Sequence, residues 1–227
     1  MADTVLLVHG FATSALRTWR EPGWIDLLTE GGKAVVAPDL LGHGAEPKPH
    51  DPEAYADVEQ RVAAQMPSRA VDAIGYSAGA RLLLALAVEN QDRFERIVIG
   101  GLGGRLLEPR SGNPLLAALG GQTDETDVVG QRFRTMASSD GNDPQALLAF
   151  AQRTQPRLDR EQLAAITVPI LIVIGDQDFT GPGEPLASAL GNAEVSTLRG
   201  VDHFGLPKSF DFMDQAFRFL GVDPLGL

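Results

Sequence analysis

The amino-acid sequence predicts an α/β chain of about six parallel strands flanked by helices, with a small helical segment inserted late in the order. Three observations lead there: short unbroken runs of Val, Ile and Leu, helical spacing between them, and one interval too long for a simple crossover. The runs are Thr4–Val8, 33–37, 70–74, 96–100, 169–174 and a weaker one at Ala193–Leu198. Because apolar residues do not alternate with polar ones, the runs fit strands covered on both faces. Between them, 78–89 sets Leu82, Leu83, Leu86 and Ala87 on one helical face. In 207–220, Pro207 suits the first helical turn, and Phe210, Met213, Phe217 and Leu220 form one stripe. Strand–helix alternation implies βαβ units with right-handed crossovers.

The interval from Gly101 to Val168 breaks this rhythm, since a crossover needs only on the order of 12 residues. It holds turn-rich stretches at 110–114, 120–127 and 138–144, and expected helices at Val128–Ala137 and 144–154. No strand-like run lies inside it, so a linker to a second domain does not fit. The expected division is a core of 1–101 and 166–227, with 102–165 forming a crossover helix and a small cap. No internal repeat or low-complexity segment is visible, and 227 residues suit a single core.

Composition narrows the chemistry. Hydrophobic residues make up 44% and charged residues 22%, as in ordinary globular proteins. No apolar run approaches the roughly 20 residues of a membrane span. The first apolar run has no basic region ahead of it, so no signal segment is expected and the expected location is cytoplasmic. A net charge of -11 and a pI near 4.7, without any basic run longer than two residues, argue against a nucleic-acid partner. A small-molecule substrate is expected; the oligomeric state is not readable. There are no cysteines and only four histidines, His9, His43, His50 and His203, no two within five residues of each other. Disulfides, iron–sulfur clusters, Cys-based zinc sites and HExxH spacing are all excluded. The glycine-rich stretch 100–104 lacks the third glycine of a dinucleotide fingerprint. Neither a metal nor a cofactor is expected, so the chemistry runs on Ser, Asp, Glu and His.

The decisive motif is Gly75-Tyr76-Ser77-Ala78-Gly79, directly between an apolar strand and a helix. A sharp strand-to-helix turn strains its central residue, requires small neighbours and points the hydroxyl outward at the carboxyl end of the sheet. The helix N-terminus behind it favours developing negative charge. A Ser hydroxyl needs a base to act as nucleophile. His203, in a loop between the last strand and the last helix, sits at the same edge and is the expected base. A carboxylate must orient that base; both Asp176 and Asp178 follow the strand at 169–174, and spacing alone does not separate them. The oxyanion donors expected are the backbone N–H of Ala78 and, from the loop after the first strand, that of Phe11.

These elements, in this order, resemble the α/β-hydrolase family: the strand ending in His9-Gly10-Phe11, the segment Pro38-Asp39-Leu40-Leu41-Gly42-His43-Gly44, the elbow 75–79, and Gly175-x-x-Asp178 followed by His203. The resemblance spans most of the chain apart from the cap and implies an α/β-hydrolase fold. It favours Asp178 over Asp176 as the acid, because the family's acid stands three residues after the strand-end glycine. It makes His43 structural. The family's two leading antiparallel strands have no room here, and Ala45-Glu46 replaces the usual x-Ser after Gly44. Related enzymes acting on epoxides and haloalkanes use Asp at the elbow, which Ser77 excludes.

What the resemblance implies is a serine hydrolase, carboxylesterase-like, cleaving an ester, thioester or lactone through Ser77, His203 and Asp178. Two other readings remain. Gly75–Arg81 resembles the GYSxGGR stretch of menaquinone-pathway lyases that eliminate pyruvate, where the Arg holds a substrate carboxylate; Ala80 replaces a Gly here, and Arg81 is equally an ion-pair residue. A carbon–carbon hydrolase would use the same triad. Some members of the fold are non-catalytic binders, but those often lose a triad residue. A substrate pocket is expected from Arg81, Leu102, Phe133, Met136, Phe150, Phe179 and Phe204, lined also by Phe11, Leu115, Leu116 and Leu119; the same apolar residues equally suit ordinary core. A short cap implies small or medium acyl groups.

Overall fold

The computed structural model describes residues 2–108, 114–120 and 126–223. Six strands form one parallel sheet in the order β2-β1-β3-β4-β5-β6. They are β1 (Thr4–Val8), β2 (Ala34–Val36), β3 (Val71–Tyr76), β4 (Phe94–Gly100), β5 (Ile170–Gly175) and β6 (Ala193–Leu198). Strand β4 begins two residues before the apolar run that marks it, and β3 extends through the elbow's tyrosine, because ladder pairing continues beyond the hydrophobic residues.

Side chains of each central strand alternate between two cores. Leu6, Val8, Ala73, Ile97, Ile99, Ile170 and Ile172 enter one. Val5, Leu7, Ile74, Val98, Leu171 and Val173 enter the other. Both faces are therefore dry, which is why the strands read as unbroken apolar runs. Helices α2 (Val58–Ala63), α3 (Ala78–Asn90) and the short α8 (Glu184–Ala187) cover the first face; α1 (Trp24–Glu30) and α9 (Phe210–Leu220) cover the second. Trp24 anchors that second layer. Its ring lies 4.8 Å from Phe212 and 5.6 Å from Phe217, and its indole N–H donates to the Pro207 carbonyl at 2.8 Å.

The last helix starts later than its sequence pattern suggests. Pro207 belongs to a separate single turn, Leu206–Lys208, and Ser209 then caps α9 by accepting from the Phe212 N–H. Phe210 is 81% exposed rather than part of the buried stripe, which Phe212, Met213, Ala216, Phe217 and Leu220 form instead. With the start shifted by three residues, Phe210 becomes the first residue of α9 and lies exposed at the helix end, although its angular position matches Phe217.

Between β4 and β5 the chain builds α4 (Pro114–Leu119), α5 (Val128–Ala137), α6 (Pro144–Gln152) and α7 (Arg160–Ala164). Asp127, Asp143 and Asp159 cap the last three with their carboxylates. Helix α6 stops two residues short of the expected 144–154, at Arg153, whose ψ of 149° leaves the helical region. Most of the stretches 110–114 and 120–127 lies outside the described residues. Among the described residues, no helix is long and apolar enough to cross a membrane.

Chain order places the site. The chain runs from β1 outward to β2, then returns across β1 to β3. Loops leaving the carboxyl ends of β1 and β3 therefore diverge around a crevice, the usual binding position in an open parallel sheet.

Candidate active site

Ser77 terminates β3 with φ 54° and ψ -112°, one of two non-glycine residues with a left-handed φ among the described residues. Such a conformation costs on the order of 1–3 kcal/mol and persists only where the surroundings impose it. Here a bond from the Ser77 N–H to the Gly100 carbonyl, 2.8 Å, and the start of α3 impose it. The flanking glycines are dictated by space. A Cβ on Gly75 would meet the Ala80 backbone at 2.7 Å, and one on Gly79 would fall on the carbonyls of Val8 and His9. Gly79→Ala is expected to lower stability by about 2–4 kcal/mol through this overlap. Gly141→Ala, with φ 83° but nothing within 4 Å, should lose only about 1–2 kcal/mol from backbone strain. Urea midpoints of the two variants measure the difference.

The hydroxyl so presented meets an imidazole. His203 Nε2 lies 3.0 Å from Ser77 Oγ, and its Nδ1 lies 2.9 and 3.0 Å from the two oxygens of Asp178. A carboxylate only accepts, so Nδ1 carries the proton and Nε2 is left to accept from the hydroxyl. His203 is 2% exposed and Asp178 8%. Burial pushes the Asp178 carboxyl up, but hydrogen bonds from His203 and from the Thr180 N–H and hydroxyl outweigh it, leaving its pKa below the ordinary value. The histidine loop is pinned as well. The Tyr76 hydroxyl donates to the His203 carbonyl at 2.8 Å, and burial raises that phenol's pKa well above its usual range, keeping it a donor.

The remaining sequence candidates fall as follows. Asp176 is exposed and accepts from the Gly200 N–H at 2.7 Å, closing a turn away from the imidazole. Ala78, as the first residue of α3, has an N–H that no helical carbonyl can accept. Phe11 lines the same crevice. His43 is fully buried, bonded through Nδ1 to the Leu41 carbonyl, and its pKa is lowered to about 3 by burial. His9 accepts from the Leu40 N–H at 3.0 Å and donates from Nδ1 to the Gly10 carbonyl at 2.7 Å, tying β1's loop to the 38–44 segment.

A cavity of about 480 Å³ opens onto Ser77, lined by Phe11, Leu102, Phe133, Phe150, Phe179 and Arg81 among others. Leu115 from α4 contributes; Arg105, Leu106, Val129 and Arg153 also line it, and no sequence pattern marked them. Met136 and Phe204 do not face this cavity. They line a neighbouring one of about 260 Å³ with Tyr76 and Pro207, because Phe133, centred 5.2 Å from the Phe204 ring, lies against it.

Residues 5–215 match the family profile described as "Alpha/beta hydrolase family". The chain is 32% identical over 111 residues to the haloalkane dehalogenase of Psychrobacter cryohalolentis, covering 44% of this chain and 33% of that protein. It is 35% identical over 115 residues to Protein ABHD8 of Mus musculus, covering 48% and 26%. The matched region thus spans a third or less of these curated relatives. Among solved structures, 2-hydroxy-6-oxo-6-phenylhexa-2,4-dienoate hydrolase from Rhodococcus sp. strain RHA1 superposes with a TM-score of 0.72. That match covers 96% of this chain and 91% of that one at 21% identity, a likeness of fold.

Proposed function

Because the chain belongs to the alpha/beta hydrolase family, we propose that it is a serine hydrolase cleaving a carboxylic ester, thioester or lactone of small to medium size. The observation that carries this reading is the unbroken line of hydrogen bonds from Ser77 Oγ through His203 to Asp178, 3.0 and then 2.9 Å. Ser77 Oγ attacks the carbonyl carbon while its proton passes to His203 Nε2. The oxyanion accepts from the N–H groups of Ala78 and Phe11, and the α3 N-terminus adds its dipole. His203 then protonates the leaving oxygen or sulfur, giving an acyl-enzyme. Water, deprotonated by His203, attacks the acyl carbon, and Ser77 leaves with the proton.

The chemistry named for the dehalogenase relative does not carry over. An alkoxide displacing a halide would leave an ether, which water does not cleave, whereas a carboxylate leaves a hydrolysable ester. Ser77 suits acyl transfer.

A second reading is supported by the arginines of the cavity lining, Arg81, Arg105 and Arg153, which outnumber its acidic partners even though Asp127 also lines it and Arg153 pairs with Glu59 at 3.6 Å. Such a lining favours an acyl part that bears a carboxylate, and the same triad would then serve a carbon–carbon cleavage or an elimination of pyruvate. A purely ligand-binding role accounts for the cavity but not for a complete, bonded triad.

Substrate length gives the test. With p-nitrophenyl esters, kcat/KM should peak between acetate and butyrate and fall about 10-fold or more by dodecanoate, because beyond its apolar lining the partly open cavity offers a long chain charged side chains and solvent. Activity rising steadily to dodecanoate would overturn the size assignment. Monoesters of succinate in the same panel separate the carboxylate-bearing reading from the neutral one.

A further inference from the structure

We propose that Asn142 is a positioning residue for the oxyanion site, holding the Ala12 peptide so that the Phe11 N–H stays aimed at the reacting carbonyl. The inference rests on the acyl-hydrolase reading above. Among the described residues, only Ser77 and Ala12 combine a side chain with a left-handed φ, 54° and 57°. The first is the elbow. The second directly follows the residue whose N–H is assigned to the oxyanion, and it is 2% exposed.

An alanine keeps that conformation only when neighbours hold it. Asn142 supplies the hold. Its Nδ2 donates to the Ala12 carbonyl at 3.0 Å and to the Met136 carbonyl at 2.8 Å, so both amide protons join the loop after β1 to the last turn of α5. The Ser139 hydroxyl lies 3.4 Å from the same nitrogen. Arg17 reinforces the docking, donating to Ser139 Oγ at 2.9 Å and to the Asp140 carbonyl at 2.7 Å. At the other end of the loop, His9 Nδ1 donates to the Gly10 carbonyl. The Gly10–Phe11 peptide, which carries the assigned N–H, is thus held by His9 from the core, and the Ala12–Thr13 peptide, two units on, is held by Asn142 from the inserted segment. Asn142 touches neither substrate nor the triad; it acts through Ala12.

Steady-state kinetics with p-nitrophenyl acetate test this in wild type, Asn142→Asp, Asn142→Ala and the double variant Ala12→Gly/Asn142→Ala. Asp keeps the size but offers the Ala12 carbonyl an acceptor instead of a donor. Both single variants should lose about 10- to 100-fold in kcat with KM changed less than about twofold, as expected when an oxyanion donor is misaimed. Glycine takes a left-handed φ without strain, so the double variant should return to within about threefold of wild-type kcat. An Asn142→Asp enzyme with wild-type kcat overturns the proposal, as does a loss confined to KM or one that glycine at position 12 fails to recover. Should Asn142→Ala not fold, the isosteric Asp variant and its own Ala12→Gly pair carry the same comparison. A wild-type protein inactive on every ester, thioester and lactone overturns the hydrolase reading and this inference with it, whereas active wild type with unaffected Asn142→Asp overturns the inference alone.

Discussion

Ser77→Ala should lower kcat/KM for the preferred ester by about 10⁴- to 10⁶-fold, with the protein still folded and still binding substrate. The size follows from the nucleophile being half of a unit: His203 Nε2 sits 3.0 Å from an oxygen that would no longer exist. What survives is binding and the oxyanion donors, which act on an attacking water alone. A fluorophosphonate probe should label wild type at position 77 and leave Ser77→Ala unlabelled. Retained turnover above about one part in 10³ would mean that another group attacks the carbonyl. Stability should move the other way with glycine. Alanine keeps the strain of a φ of 54°, while glycine relieves it, so Ser77→Gly should exceed Ser77→Ala in unfolding free energy by about 1 kcal/mol or more. Urea denaturation of the two variants measures this.

How much of this was legible beforehand depends on whether a signal is local. The four inner strands were readable because burial on both faces leaves an unbroken apolar run in each, even the five residues of β1, whereas the partly exposed edge strand β6, AEVSTL, reads only weakly. The elbow was readable because its two glycines are demanded by overlaps that any sequence with this turn must avoid. Where the signal was three-dimensional it failed. Met136 and Phe204 look like pocket residues by composition, yet they face the neighbouring cavity because a third ring, Phe133, lies against Phe204. Phe210 has the angular phase of Phe217, but as the first residue of α9 after the Ser209 cap it is left exposed at the end of the helix. Asn142 carried no mark at all, since its partner carbonyl lies 130 residues away in the chain. Thr180 was equally silent beside Asp178, although its two hydrogen bonds help set that carboxylate's charge.

The acid that spacing alone left open separates cleanly by expected effect. Asp178→Asn should reduce kcat by about 10⁴-fold, whereas Asp176→Asn should stay within about threefold of wild type, losing at most one exposed turn bond. The reason is tautomeric. An Asn side-chain amide can donate to Nδ1, which shifts the proton to Nε2 and leaves nothing to accept from Ser77. Asp176 lies beyond that effect, because its carboxylate closes the turn at Gly200. The same contrast has a pH signature. The folded pKa of Asp178 lies below its ordinary value, so its bonded carboxylate adds stability above the unfolded carboxylate pKa and loses it as pH falls through the depressed folded value. Wild type should therefore be more stable than Asp178→Asn near neutrality, with the gap closing toward strongly acid pH. A gap that widened on acidification would mean the carboxylate enters the fold protonated, and an acid in that state cannot hold the proton of His203 on Nδ1.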